Sequence, residues 1–483
     1  MIFMQSREEV ELVKHLLRRF GLGASEAEVE FYGRGGYEKA VDRLLKSADH
    51  DEPVTFGIEF LQNNDGNVVG APQRAQAVWY AEQLVTNRPL VYKMAMFWHD
   101  HFATSAQKVS NGSTMLRHLH LLRDQGLGYF GELLMAVSKD PAMLYWLDNI
   151  ENVKGKANEN FAREIMELFT LGVGNYTEKD IQEAARSFTG WTYAQRRGNR
   201  LVPTRQQVPG PQTEFYLDAP KHDDGTKVIF GNSGEWSGED VVGMLVSNPR
   251  TAQYLTEKML KWFVEPNPSK ATIEKFAQIF RKSNLNVKEL VKAIMLSDEF
   301  KAERVRRTIL KNPYDFTIPM AREIGMGAAM IRAFEAAGDV SANGEETERK
   351  RRGIVVAGFE IRRATSIMGM DLMFPPDVAG WGYGVEWIST STMVARMDYG
   401  EELFTRYARA LPNFTTFGAD GRPESLVQNL VKALDCQLPA EKVEQLTAAA
   451  RKVSGGRVTQ RNANTTCGAV SKLISATPEF QFM

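Results

Sequence analysis

The chain has 483 residues, 43% of them hydrophobic and 10% aromatic, enough for a substantial core spread over roughly two to four domains of ordinary size. Its 59 basic and 60 acidic residues leave a net charge of −1, so it carries no general attraction for nucleic acid or anionic lipid. No run of about 18 apolar residues occurs, so no membrane-spanning helix is expected. Two cysteines, Cys436 and Cys467, are too few for a disulfide framework and leave one pair or two free thiols equally open.

The start, Met1 to Val10, runs straight into an amphipathic helix without the basic-then-apolar layout of a secretory signal. The expectation is a soluble chain with no export address, cytoplasmic by default. Apolar periodicity is helical almost throughout. Helices are predicted over 6–20, stopped at Gly21–Gly23, then from a capping box at Ser25–Glu28, and over 37–47, 71–86 and 89–102. Further helices follow over 113–124, 129–138, 158–171 and 178–187, the last opened by Thr177 with Asp180.

From about 191 to 240 glycine, proline and polar residues take over, and two short alternating runs, 214–217 and 227–230, predict a β-hairpin insertion. Helices resume over 239–247, 249–263, 270–282 and 286–296. A charged stretch, 339–352, precedes a helix over 353–366, and another opens at Ser389 and Thr390. The basic runs 304–307 and 349–352 read as solvated helix ends or linkers. The fold class is mostly α, a multi-helix globular array with a loop-rich β-hairpin insertion. Its expected regions are 1–190, 191–240, 241–410 and a small helical tail, 411–483.

Four of the seven histidines lie between 99 and 120. Trp98-His-Asp-His-Phe102 closes an apolar helix. His99 and His101 are about 200° apart on a regular helix and ligate one metal only if the helix ends there. His118 and His120 sit in plainly helical sequence and read as structural. On the helix 158–171, Asn160, Arg163, Glu164 and Glu167 form one stripe. Two carboxylates three apart can flank a cation or a proton, or Arg163 can neutralise them as an ion-pair network. His222-Asp-Asp-Gly225 lies on the hairpin turn, where a histidine among carboxylates is a ligand, a general base or a solvated turn. Phe374-Pro-Pro-Asp-Val-Ala-Gly-Trp381 and Trp387 make a tryptophan loop that either braces the fold or stacks on a ligand. Walker, dinucleotide-glycine, Gly-x-Ser-x-Gly and His-Glu-x-x-His patterns are absent from the sequence.

Taken in order, Leu16-Leu-Arg-Arg-Phe-Gly-Leu-Gly23, Phe97-Trp-His-Asp-His-Phe102, Asn158–Gly172, Tyr176–Asp180, Phe188-Thr-Gly-Trp191, His222-Asp223, Lys227 and Pro375–Trp381 resemble the bacterial DUF1800 family. The tail Pro478-Glu-Phe-Gln481 fits as well. The resemblance implies a mostly helical protein, often exported and often encoded beside a DUF1501 partner. This chain departs in lacking an export signal. It carries over no catalytic residues, but implies that the polar helix, the His-Asp-His corner and the His-Asp turn form one package.

Two functions follow as expectations. In the first the protein is a hydrolase acting on a polar or polysaccharide-type substrate. His99, His101 and His222 then hold a divalent metal ion or orient a water, while Glu164, Glu167, Arg163 and Asp223 do the acid–base and binding work. In the second it is a non-catalytic helical scaffold or binding module for a DUF1501-like partner.

Overall fold

Helix α1 (Arg7–Phe20) begins where the Ser6 side chain accepts the Glu9 N–H and ends at Gly21, as its capping pattern requires. The computed structural model describes residues 6–68, 70–198, 200–204, 207–406 and 417–483. The segment 1–5 and the expected boundary near residue 410 therefore lie outside the described residues.

Helices dominate, and the named strands are confined to residues 191–234. α2 (Pro72–Val85) and α3 (Pro89–His101) both start on proline, whose missing N–H costs nothing in a first turn. Both are buried almost from end to end, and α4 (Gly112–Gln125) is buried along the face that packs on them. α5 (Asn160–Met166) continues into a π-helical turn, Glu167–Leu171, and α6 (Glu178–Ser187) opens on the Thr177–Asp180 capping box. α7 (Pro249–Phe263) and α8 (Pro313–Glu323) follow the β insertion. α9 (Glu345–Ile354) is a helix inside the stretch read as a charged separator, and leads into α10 (Val356–Ile367). α10 crosses α2 so closely that a Cβ at Gly358 would overlap the Ala77 carbonyl, so this crossing needs glycine. α11 (Thr390–Arg406) packs on α12 (Ala463–Ala476) through Gly400 and Gly468. The buried apolar side chains form one contiguous cluster reaching from Val13 to Phe480.

Two further details differ from the sequence expectation. The runs 214–217 and 227–230 do not pair with each other. β3 (Thr213–Leu217) pairs antiparallel with β1 (Trp191–Arg197), which also pairs with β2 (Arg200–Pro203). β4 (Lys227–Ile229) pairs instead with β5 (Asn232–Gly234). Neither basic run is wholly solvated. Arg351 is fully buried beside Glu348, which also takes a bidentate bond from Arg74, and Arg307 reaches Asp435 at 3.3 Å. The two cysteines are both free and both buried.

Candidate functional site

The apolar run Leu90–Phe97 is buried along α3 and delivers Trp98 to His101 into the interior. His99 and His101 leave on different sides, as their spacing demands. His101 Nε2 donates to the Phe169 carbonyl at 3.1 Å, and its ring stacks on Phe97. His99 Nε2 accepts the Met373 N–H at 3.3 Å, and its ring meets the edge of Trp381 at 5.0 Å. Burial pushes both imidazoles well below their ordinary range, so both are neutral at pH 7. Both Nδ1 atoms are buried without a partner among the described residues.

Asp100, between them, points to a third side. Its Oδ1 accepts the Trp381 N–H at 2.8 Å, and burial pushes its carboxyl up to about 6 against the opposing pull of Lys258. Gly380, at φ +98°, permits this approach, because a Cβ there would lie 2.5 Å from the Asp100 oxygens. Asp100, Trp262, Asn312, Trp381, Tyr383 and Trp387 border a cavity of about 10 Å³, the room one water needs.

The polar helix divides its stripe. Arg163 turns outward to Glu178 at 2.8 Å and Glu159 at 3.2 Å, and forms no ion pair with Glu164 or Glu167 among the described residues. Glu167 accepts the Tyr176 hydroxyl. Glu164 is half-buried with no hydrogen bond or ion pair among the described residues. Its carboxyl is raised, first by burial and then by the charge of Glu167. The π turn after it leaves Phe169 O for His101, while Thr170 Oγ1 donates to Ile165 O at 2.6 Å.

α7 joins these parts. At its start Arg250 Nε donates to Leu171 O at 2.9 Å, and the Tyr254 ring covers Gly172. One turn on, Lys258 lies near Asp100, with its ammonium lowered chiefly by burial. At the far end the Lys261 carbonyl accepts the Tyr383 hydroxyl, and Trp262 meets Phe97 edge-on at 5.8 Å. The end of the polar helix and the tryptophan loop are thus fixed to opposite ends of one helix, with the Asp100 corner between.

The His-Asp turn is a joint of a different kind. His222 Nδ1 donates to Thr189 O at 2.8 Å. Asp223 takes Arg186 at 2.9 Å, which holds its carboxyl down at about 2, and the buried Lys227 donates to the Asp223 carbonyl at 2.6 Å. These bonds tie the insertion to α6, and no direct contact joins His222 or Asp223 to His99, His101, Glu164 or Glu167 among the described residues.

The structure therefore brings together His101, the π turn of the polar helix and the tryptophan loop, with Glu167 near Tyr254 at the edge. It does not gather His99, His101 and His222. Among the described residues no group of three or more His, Cys, Asp or Glu side chains is arranged to hold a metal ion. Sequence reading passed over Asp100, Tyr254, Lys258 and Trp262. Asp100 lay in plain sight within its motif, whereas α7 offered only ordinary amphipathic spacing.

These observations define a largely helical protein with a small β insertion, in which widely separated motifs meet at the end of one buried helix. The family described as "Protein of unknown function (DUF1800)" matches residues 15–482, and the chain belongs to it. No curated protein and no solved structure matches the chain. No helix among the described residues is long and apolar enough to cross a membrane.

Proposed function

We propose that the protein is an acid–base hydrolase of a polar, polysaccharide-type substrate, with Asp100 as the group that activates water. One observation carries this reading. A carboxyl raised to about 6 borders a water-sized cavity walled by aromatic rings, and its other oxygen is fixed by the Trp381 N–H. A base of that pKa is mostly ionised at neutral pH yet still basic enough to take a proton from an attacking water. Glu164, unpaired and raised, is the proton donor to the leaving oxygen, with Glu167 beside it held by Tyr176. Aromatic faces along the loop suit the apolar faces of sugar rings.

The test is release of reducing ends from a panel of polysaccharides by the purified chain, with Asp100→Asn and Glu164→Gln alongside. The assay is run with and without chelator. Activity lost in both variants and untouched by chelator supports this acid–base route. Activity that survives Asp100→Asn overturns it, and activity abolished by chelator returns the metal-assisted route to the front.

A second reading is a non-catalytic scaffold or binding module for a DUF1501-like partner. It is favoured by the way His101, His222 and Asp223 are all spent on bonds between distant segments. Co-purification with such a partner, with no turnover on any substrate, would select it.

A further inference from the structure

The cavity beside Asp100 has room for one water, about 10 Å³, whereas an organic ligand needs a pocket of roughly 300 Å³ or more. This structure therefore shuts substrate out, and part of the cavity wall has to move. Most of the lining is firmly built. Asp100 and Trp262 belong to α3 and α7, and Asp315 of α8 is paired with the buried Lys93. Asn312 caps α8 by accepting the Asp315 N–H at 2.8 Å, and the Met483 N–H donates to the Ile309 carbonyl at 2.9 Å. The remaining wall is the stretch Trp381–Trp387, which contributes Trp381, Gly382, Tyr383 and Trp387.

That stretch is fixed at its ends and loose between them. Asp100 and His99 hold Trp381, and Trp387 is buried. Between the two, Val385 is 80% exposed and Tyr383 37%, so the segment lies between the cavity and solvent. Among the described residues, one hydrogen bond ties Gly382–Glu386 to the body of the protein, from the Tyr383 hydroxyl to the Lys261 carbonyl. Glycines flank Tyr383 on both sides. Gly384 sits at φ +63° with nothing within 4 Å of where a Cβ would lie, so its backbone turns freely. Pinned ends, a pivot on each side of one ring and a single bond across the mouth are the parts of a hinged flap. We infer that Gly382–Glu386 is a lid over the Asp100 cavity, latched by Tyr383 on Lys261, and that substrate reaches Asp100 only when the latch releases. The lid's role rests on the hydrolase reading, but its motion is measurable with no substrate present.

A thiol placed inside the cavity tests it. Met370 lines the cavity at 1% exposure, while Cys436 and Cys467, buried elsewhere, serve as standards within the same molecule. The full chain carrying Met370→Cys is treated with N-ethylmaleimide, and labelling at each site is followed by peptide mass spectrometry. The introduced thiol is expected to label about tenfold or more faster than either native cysteine, because local opening outpaces global unfolding. Adding Tyr383→Phe should quicken it by about two- to tenfold, the worth of one hydrogen bond, and leave the native sites unchanged. Ile309→Cys, on the same cavity, repeats the measurement where circular dichroism shows that Met370→Cys has not folded. Labelling no faster than at the native cysteines, or a rate indifferent to Tyr383→Phe, overturns the lid. Opening in a chain that cleaves no polysaccharide sinks the hydrolase reading and keeps the lid. Cleavage by a chain whose cavity stays sealed does the reverse.

Discussion

The Trp381 N–H donates to the Asp100 carboxylate at 2.8 Å across 281 residues of sequence. That bond fixes one oxygen of a carboxyl that borders the cavity and lies near Lys258, so the group is both oriented and chemically available.

Asp100→Asn separates catalysis from stability. The folded pKa, about 6, lies above the ordinary 3.8. Between those values the unfolded chain has lost its proton and the folded chain keeps it, so this group's contribution to stability falls as pH rises from 3.8 to about 6. Removing the buried charge at pH 7 should raise stability by about 1–3 kcal/mol, while Asn still accepts the Trp381 N–H. Denaturant melts and turnover on one preparation measure both, and a strongly destabilised variant contradicts this account.

If Asp100 is the base, kcat/KM should fall as pH drops through about 6, the value of that carboxyl. A profile flat from pH 5 to pH 8, about one unit below and two above it, would assign the chemistry elsewhere.

Gly380→Ala should cost about 1–3 kcal/mol, because φ +98° is strained for alanine and its Cβ would press on Asp100. Thermal melts give the cost, and turnover should drop further than stability alone explains.

Three buried histidines set the acid limb of stability. His15, His99 and His101 all lie well below the ordinary 6.5, chiefly through burial. Below pH 6.5 the unfolded chain takes up protons that the folded chain refuses, so stability falls as pH falls. Each histidine contributes a slope of about 1.4 kcal/mol per pH unit. Together they outweigh the opposite trend of Asp100, and urea midpoints should decline steadily from pH 6.5 toward pH 5.

Glu164→Gln removes a carboxyl with no bonded partner among the described residues. Its stability should change by less than about 0.5 kcal/mol, whereas turnover should be lost. A large drop in Tm with activity retained would make Glu164 structural.

Much of the helical framework was legible because each helix announces itself locally, through apolar periodicity and caps such as Ser6 and Thr177. The strand pairing was not, because β3 finds its partner at β1 through contacts that leave no mark on the intervening turn-rich sequence. Within the candidate site, sequence singles out side chains by chemical type, and the structure adds their partners. The histidines attract notice by chemical type, yet His101 and His222 are committed to carbonyls that lie far away in sequence. Asp100 acquires its character only from burial and from Trp381. Lys258 gains its place near Asp100 only through the fold, and no local pattern records that.

Burial raises the thiols of Cys436 and Cys467 to about 11 and 12. At neutral pH both are therefore protonated and shielded, and a maleimide reaches them only when the chain opens. Because the two thiols are not joined, a reductant has no cross-link between them to break. The same two atoms make a built-in gauge of unfolding: their labelling rate reports how often the region around α12 lets solvent in.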